Sequence, residues 1–180
     1  YFGGKCMIRL GEQQILKVVR FSTIGVYLGD QEEQVLLPKR YVPATLCVED
    51  EIDVFVYKDS EDRLVATTEK PKLTLGEIAL LKVSQITEIG AFLDWGLGKD
   101  LLLPFREQTI KVEEDNEYMV GLYIDKTGRL CATMDTYAVL STDSPYVVED
   151  AVQGMIYSIK KDVGIYVAVD RKYHGMLPIS

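Results

Sequence analysis

A motif that occurs three times constrains the fold of this chain more than any other feature. Each copy has a short apolar segment around a glycine, followed by a triplet that ends in Leu-Pro. The segments read Ile-Gly-Val-Tyr-Leu at 24–28, Ile-Gly-Ala-Phe-Leu at 89–93 and Val-Gly-Ile-Tyr-Val at 163–167, and the triplets lie at 36–38, 102–104 and 176–178. The glycine and the proline stand 13, 14 and 14 residues apart. This agreement predicts three copies of one structural unit.

The first two copies continue to match after the proline. An acidic stretch precedes an apolar run and then an Asp-to-Arg-Leu-x-Ala-Thr segment, at 59–67 and at 125–133. The third copy stops at Ser180, before this second half appears. We therefore predict a lead-in at 1–13, complete units at 14–72 and 73–135, a linker at 136–145 and the first half of a third unit at 146–180.

Periodicity predicts five short β-strands in each complete unit. Segments rich in Val and Ile predict first strands at 14–21, 78–86 and 152–160. The repeated glycine begins a second strand, where a missing Cβ permits a bend or bulge, and the proline ends a third strand because it cannot donate a ladder hydrogen bond. Fourth strands are predicted at 52–57 and 118–124, fifth strands end at Thr67 and Thr133, and a turn or two of helix is expected at 136–140.

Five strands in about 60 residues, with a longer connection between the third and the fourth, are typical of the small Greek-key barrel called the OB-fold. The sequence therefore predicts an all-β chain of tandem five-stranded OB-fold barrels. The third barrel is expected to be incomplete in this chain, because its second half lies beyond Ser180.

The composition limits where such a chain works and what it binds. Its 180 residues include 20 basic and 28 acidic side chains, a net charge of −8, so overall charge alone does not attract nucleic acid, although a local groove still can. No run of about 18 apolar residues occurs, and the N-terminus lacks the pattern of a signal peptide. We expect a cytoplasmic protein without a membrane partner.

Catalytic and metal-binding patterns are missing from the sequence. Cys6, Cys47 and Cys131 lie far apart and His174 is the single histidine, which argues against a zinc site and against a disulfide framework. The sequence contains no P-loop, no dinucleotide fingerprint and no Gly-x-Ser-x-Gly elbow. We expect no enzyme activity, no metal and no cofactor.

The residues of the second copy resemble a known family. The stretch 77–96, which includes Ile-Gly-Ala-Phe-Leu-Asp-Trp-Gly, is similar to an S1 RNA-binding domain. The repeated set of Gly, Leu-Leu-Pro and Arg-Leu-x-Ala-Thr resembles the conserved virulence factor B family of S1-like proteins, also called YitL-type, over nearly the whole chain. The resemblance implies S1-like barrels, RNA binding that affects gene expression, and a C-terminal winged-helix domain that this chain would lack.

Strand parity identifies three aromatic candidates for RNA stacking. The aliphatic residues of the second strand alternate with one aromatic residue, so the aromatic side chain points away from the core and should be exposed. Single-stranded bases stack on such rings with about 1–3 kcal/mol per base. The resemblance implies this role for Phe92, and Tyr27 and Tyr166 stand in its place in the other copies. The alternative is that these rings pack under a loop or against a neighbouring barrel.

Basic residues in the adjoining loops are the candidates for contacts to the RNA backbone. Those of the third copy lie in two pairs at opposite ends of its second strand, about 20 Å apart, so a single continuous patch is not assured. The ordinary alternative for such residues is a solvated surface charge. The candidates are Lys39, Arg40, Arg106, Lys160, Lys161, Arg171 and Lys172.

Departures from the S1 pattern leave two functions open. Aliphatic residues precede the glycine where S1 domains usually carry a second aromatic residue, and proline replaces the histidine that commonly closes the third strand. The net charge is −4 over 14–71, −5 over 73–135 and 0 over 146–180. We expect a non-catalytic regulatory protein that binds single-stranded RNA. The alternative is a protein-interaction scaffold whose acidic barrels space or dock protein partners, while an absent C-terminal domain binds nucleic acid.

Overall fold

A computed structural model describes residues 7–179 of the chain, so Cys6 and the first half of the predicted lead-in lie outside the described residues. Within 7–179 the chain forms thirteen β-strands and one four-residue α-helix, which confirms the all-β prediction. The elements are β1 (Gln13–Phe21), β2 (Gly25–Gly29), β3 (Gln34–Pro38), β4 (Glu51–Lys58), β5 (Leu64–Thr67), β6 (Ile78–Thr87), β7 (Gly90–Asp94), β8 (Leu101–Pro104), β9 (Glu117–Ile124), β10 (Leu130–Thr133), α1 (Thr136–Val139), β11 (Gly154–Lys160), β12 (Gly164–Val169) and β13 (Tyr173–Pro178).

The first five strands form a closed barrel in the order β1-β2-β3-β5-β4. All neighbours pair antiparallel except β3 and β5, which close the barrel through a parallel pair at Leu36 and Val65. Buried and less buried side chains alternate along β1 and β3, as a half-buried sheet requires, whereas β4 buries Val54–Tyr57 in succession. The fully buried side chains include Val18, Leu28 and Leu37.

The next five strands repeat this arrangement in a sheet of order β10-β9-β6-β7-β8. This is the strand order of the first barrel, with the barrel opened between its third and its fifth strand. Its core is again aliphatic, with Leu81, Leu93 and Leu103 fully buried. Each repeated proline ends its third strand, as predicted, and a single turn of 3-10 helix follows it at Lys39–Tyr41 and at Phe105–Glu107.

The last three strands form a separate antiparallel sheet, β11-β12-β13, which corresponds to the first three strands of a barrel. The chain divides into two compact units, and this sheet belongs to the second of them together with most of the second barrel. Within that unit Ala168 of β12 lies in a buried cluster with Ile78 of β6 and Leu140, which directly follows α1. The short helix predicted in the linker is therefore present and packs against the core.

The repeated glycines serve a close approach between strands. An added Cβ would lie 2.1 Å from the Leu37 carbonyl oxygen at Gly25, and 2.4 Å from the Leu103 oxygen at Gly90. Their φ angles of 154° and 147° also disfavour other residues. The sequence predicts a bend or bulge at these glycines, whereas the register shifts that mark a bulge lie in the preceding strand of each copy, within β1, β6 and β11.

The described part of the chain, residues 7–179, contains no helix with the length and apolar character needed to cross a bilayer.

Candidate nucleic-acid interface

The three aromatic candidates occupy the same position on the second strand of each sheet. Tyr27 lies on β2, Phe92 on β7 and Tyr166 on β12. In both barrels the neighbouring aliphatic side chains on that strand are buried, so the ring points away from the core as predicted. The rings are half-buried rather than fully exposed, because side chains of adjacent strands lie beside them.

The bulge in the first strand determines what lies beside each ring. It shifts the register by one residue and so places a polar residue opposite the aromatic one. The pairs are Arg20 with Tyr27, Gln85 with Phe92 and Ser158 with Tyr166. On the other side, the third strand places Leu36, Leu102 or Met176 opposite the ring. Each ring is therefore one flat apolar patch between a polar and an aliphatic neighbour.

In the first barrel a cation already covers the ring. The guanidinium carbon of Arg20 lies 3.8 Å from the centroid of Tyr27, which is a cation–π contact. A base that stacks on this face of Tyr27 has to displace Arg20 or stack on the guanidinium itself. In the second barrel the corresponding side chain is the uncharged Gln85, which faces Phe92.

In the third sheet Tyr166 belongs to a cluster of aromatic side chains. Tyr157 and Tyr137 both lie 6.2 Å from its centroid in edge-to-face arrangements, and the Lys160 ammonium lies 5.2 Å from the ring. His174 joins the cluster, with its ring 4.3 Å from Tyr137 and its Nδ1 3.3 Å from the Tyr157 hydroxyl. Burial raises the pKa of the Tyr157 hydroxyl, so this group stays neutral.

The basic candidates of the first two barrels lie on corresponding turns. Lys39 and Arg40 form the exposed 3-10 turn after β3, where Arg40 lies 4.7 Å from the ring of Tyr41. Arg106 occupies the matching turn after β8 and is also exposed. Its guanidinium lies 3.8 Å from Glu107 and 3.9 Å from Asp125, both beyond normal hydrogen-bond length.

The four basic candidates of the third sheet lie at two separate ends. Lys160 pairs with Gly164 at one end of β12 and Lys161 follows it, whereas Arg171 and Lys172 form the turn at the other end. The two pairs therefore do not form one continuous patch. Arg171 has a structural role there, because its guanidinium donates to the Lys72 carbonyl at 2.8 Å and lies 3.4 Å from Glu77.

A cleft of about 540 Å³ in the second unit brings three of the candidates together. Arg106, Lys160 and Tyr166 all line it. Tyr137 and Tyr157 line it too, and neither is predicted from the sequence. The sequence signal for Tyr137 is Asp135, whose side chain caps α1 and so fixes Tyr137 in the first turn of a helix.

The acidic residues of this cleft are engaged within the protein. The Glu107 carboxylate accepts a hydrogen bond from the Thr133 hydroxyl at 2.6 Å, and Asp135 accepts one from the Ala138 amide at 3.3 Å. Among residues 7–179, no three or more His, Cys, Asp or Glu side chains are grouped where they hold a metal ion. The arrangement of tyrosine rings and cations suits stacking and phosphate contacts.

Comparisons with known proteins identify the repeated unit. The family model of the S1 domain matches residues 10–69 and 75–135. The protein YitL of Bacillus subtilis (strain 168) is 29% identical over 162 residues, which are 84% of this chain and 54% of that protein. Conserved virulence factor B of Staphylococcus saprophyticus subsp. saprophyticus is 28% identical over 116 residues, 62% of this chain and 38% of that protein. The chain thus spans about half or less of these relatives.

A solved structure shares the fold over a longer stretch. It is described as a multidomain protein with nucleic acid binding domains from Streptococcus pneumoniae TIGR4. The two superpose with a TM-score of 0.59 at 17% identity, over 94% of this chain and 62% of that one. With two S1 domain matches and these relatives, the chain belongs to the S1 domain family, within the S1-like group of conserved virulence factor B and YitL.

Proposed function

We propose that this chain is a non-catalytic binder of single-stranded RNA and belongs to a cytoplasmic protein that affects gene expression. The observation that carries the proposal is the aromatic residue on the outer face of the second strand in each of the two barrels. Tyr27 and Phe92 recur at one position although the core does not need an outward ring there. Tyr166 takes the equivalent position on β12, but on the face whose Ala168 packs against Ile78 and Leu140. Base stacking gives such a ring a use that is independent of sequence.

The basic turns supply the second half of the proposed mechanism. Lys39, Arg40 and Arg106 are exposed on turns that directly follow a third strand, and Lys160 ends β11 near Tyr166. Stacked bases leave the phosphates on the outside, where such cations neutralise them. Binding of this kind is salt-sensitive and selects sequence only weakly.

Phe92 provides the sharpest test because its cross-strand polar neighbour is uncharged. Fluorescence anisotropy of a labelled 12-nucleotide single-stranded RNA should show that Phe92→Ala weakens binding by about 1–3 kcal/mol, the contribution of one stack. Tyr146→Ala is the control, since Tyr146 is 39% exposed and lies outside the strands and turns assigned to RNA contact. Equal affinities of Phe92→Ala and Tyr146→Ala would contradict the stacking role.

Two features of the first two barrels support the alternative function, a protein-interaction scaffold. Both barrels are acidic, with net charges of −4 over 14–71 and −5 over 73–135. Both also expose an aliphatic side chain before the repeated glycine, since Ile24 is 57% and Ile89 60% exposed. If the chain fails to bind RNA even at low salt, these surfaces become the candidates for protein partners.

A further inference from the structure

The cleft beside Tyr166 has the size of a ligand site. The turn after β8 contributes Arg106, the start of α1 contributes Tyr137, and the third sheet contributes Lys160 and Tyr166. Its volume of about 540 Å³ lies within the range of small-molecule pockets in proteins. The space therefore accommodates one nucleotide rather than a long stretch of chain.

Tyr137 offers the accessible aromatic surface of this cleft. It is 58% exposed, although its ring rests on His174 at 4.3 Å and meets the edge of Tyr166 at 6.2 Å. These contacts and the Asp135 cap of α1 hold the ring in place. A fixed and exposed tyrosine ring is a stacking platform, because little side-chain freedom remains to be lost when a base binds.

Two cations lie on different walls of the same cleft. Arg106 forms ion pairs with Glu107 at 3.8 Å and with Asp125 at 3.9 Å and interacts with the Tyr123 hydroxyl, and its exposed guanidinium has further donors that suit a phosphate. Within residues 7–179 the Lys160 ammonium contacts the ring of Tyr166 at 5.2 Å, from which its flexible side chain is able to turn to an anion. Glu107 and Asp135 have hydrogen-bond donors of their own and oppose a phosphate less than unpaired carboxylates would.

We propose that this cleft binds a single unpaired nucleotide of the RNA strand, with its base stacked on Tyr137 and its phosphate contacted by Arg106 and Lys160. This inference rests on the proposed RNA-binding function and adds a site off the aromatic positions of β2 and β7. It assigns RNA contacts to the segment between the second barrel and the third sheet.

Photo-crosslinking and affinity measurements on the 180-residue chain test the site. The probe is a 12-nucleotide single-stranded RNA that carries 5-iodouridine, and crosslinked peptides are mapped by mass spectrometry. Tyr137→Leu removes the aromatic face but keeps apolar bulk on His174, whereas Tyr137→Phe keeps the ring. Tyr146→Leu is the matched control, since Tyr146 is 39% exposed and does not line the cleft.

The proposal expects a crosslink at Tyr137, since one at Tyr166 alone is expected of the proposed function without this site. It also expects an affinity loss of about five- to 150-fold in Tyr137→Leu, with near wild-type binding in Tyr137→Phe and Tyr146→Leu. Lys160→Ala should weaken binding, and Lys111→Ala, an exposed lysine away from the cleft, should not. Circular dichroism and thermal melting of each variant confirm that it is folded.

Two other results would overturn the site, and they are distinguishable. If RNA binds and Phe92→Ala weakens it, but Tyr137→Leu and Lys160→Ala do not, the RNA-binding function stands and the cleft assignment is wrong. If the wild-type chain binds no RNA even at low salt, the proposed function fails and the cleft assignment fails with it.

Discussion

The guanidinium carbon of Arg20 lies 3.8 Å from the centroid of the Tyr27 ring on the outer face of the first barrel. The register shift in β1 makes this contact, because it brings Arg20 directly opposite Tyr27. The same shift in β6 brings Gln85 opposite Phe92. Two barrels of one architecture thus present different outer faces, one with a cation on its ring and one with an amide beside it.

The Arg20–Tyr27 contact should be measurable as a coupling energy. A double-mutant cycle with Arg20→Gln and Tyr27→Leu is expected to give about 0.5–1 kcal/mol, the range of an exposed cation–π pair. Urea denaturation measures the free energy of unfolding of each variant. The matched cycle with Gln85→Ala and Phe92→Leu lacks the cation, so its coupling should be smaller. Equal coupling in the two barrels would contradict the cation–π interpretation.

The glycine that begins β7 should tolerate no side chain. Gly90→Ala places a Cβ 2.4 Å from the Leu103 carbonyl oxygen and 2.9 Å from the Pro104 Cα, at a φ of 147°. We expect the free energy of unfolding to fall by about 2–4 kcal/mol from backbone strain and overpacking.

Gly98→Ala is the control for this substitution. Among the described residues other than its chain neighbours, the Tyr41 hydroxyl oxygen at 3.8 Å is the one atom within 4 Å of its added Cβ, so the change should stay within about 0.5 kcal/mol. Thermal or urea unfolding measures both variants. A Gly90→Ala protein as stable as Gly98→Ala would show that β7 and β8 do not approach as closely as described.

The fold was predictable from sequence because its signals are local and repeated. Glycine-to-proline spacing marks the second and third strands, and alternation on β2 separates the buried Leu28 from Tyr27. The sequence predicts a bend or bulge at the glycine, whereas the bulge lies in the preceding strand and Gly25 allows a close approach to Leu37. A sequence shows which residues lack a side chain. The position of the neighbouring strand determines whether the free space at a glycine serves a bulge or a close approach of two backbones.

The candidate site was only partly predictable. Arg106, Lys160 and Tyr166 were selected for local reasons, and the structure brings them to one cleft. Tyr137 was missed because its place there depends on how α1 packs against His174 of β13, a contact between residues far apart in the chain. The aromatic rings are half-buried, although the sequence predicts them exposed. Strand parity specifies the face on which a side chain lies, but not which neighbouring side chains cover it.

The turn between β4 and β5 should make stability depend on acid pH. Burial alone would raise the pKa of Asp59, but hydrogen bonds from the backbone and side chain of Arg63 and from the Glu61 amide lower it below its usual value. A carboxyl whose folded pKa is depressed stabilises the fold above its unfolded pKa of about 3.9, and this contribution is lost as pH falls through the lower folded value.

Two substitutions separate the charge of Asp59 from its turn. Asp59→Asn keeps an acceptor for the Glu61 and Arg63 amides, which bond Oδ1 at 2.9 and 3.0 Å, but loses the charge that faces the Arg63 guanidinium. The free energy of unfolding of Asp59→Asn should therefore be lower than that of the wild type at pH 7. This difference should vanish as the pH falls and the wild-type carboxyl becomes protonated. Asp59→Ala should lose more and retain part of its deficit in acid. A pH-independent deficit in Asp59→Asn would exclude the charge effect.

The exposed turn after β3 should set part of the salt dependence of RNA binding. Lys39 and Arg40 are adjacent and exposed there, so a strand that stacks on the first barrel has two cations at hand for its phosphates. Each phosphate contact on single-stranded nucleic acid contributes about 0.7 to the slope of log affinity against log salt. The double variant Lys39→Ala/Arg40→Ala should therefore bind more weakly, with a slope shallower by about 1.4.

The comparison that isolates this turn is a second double variant with the same loss of charge. Lys111→Ala/Lys126→Ala removes two exposed lysines that do not follow a third strand. Anisotropy titrations from about 50 to 200 mM salt measure both slopes. Counterions leave the RNA where a Lys or Arg side chain contacts a phosphate, so the slope depends on these contacts rather than on net charge. Only the Lys39/Arg40 variant should therefore change the slope. Equal slopes in the two variants would show that the RNA strand follows another path across the barrel and does not contact this turn.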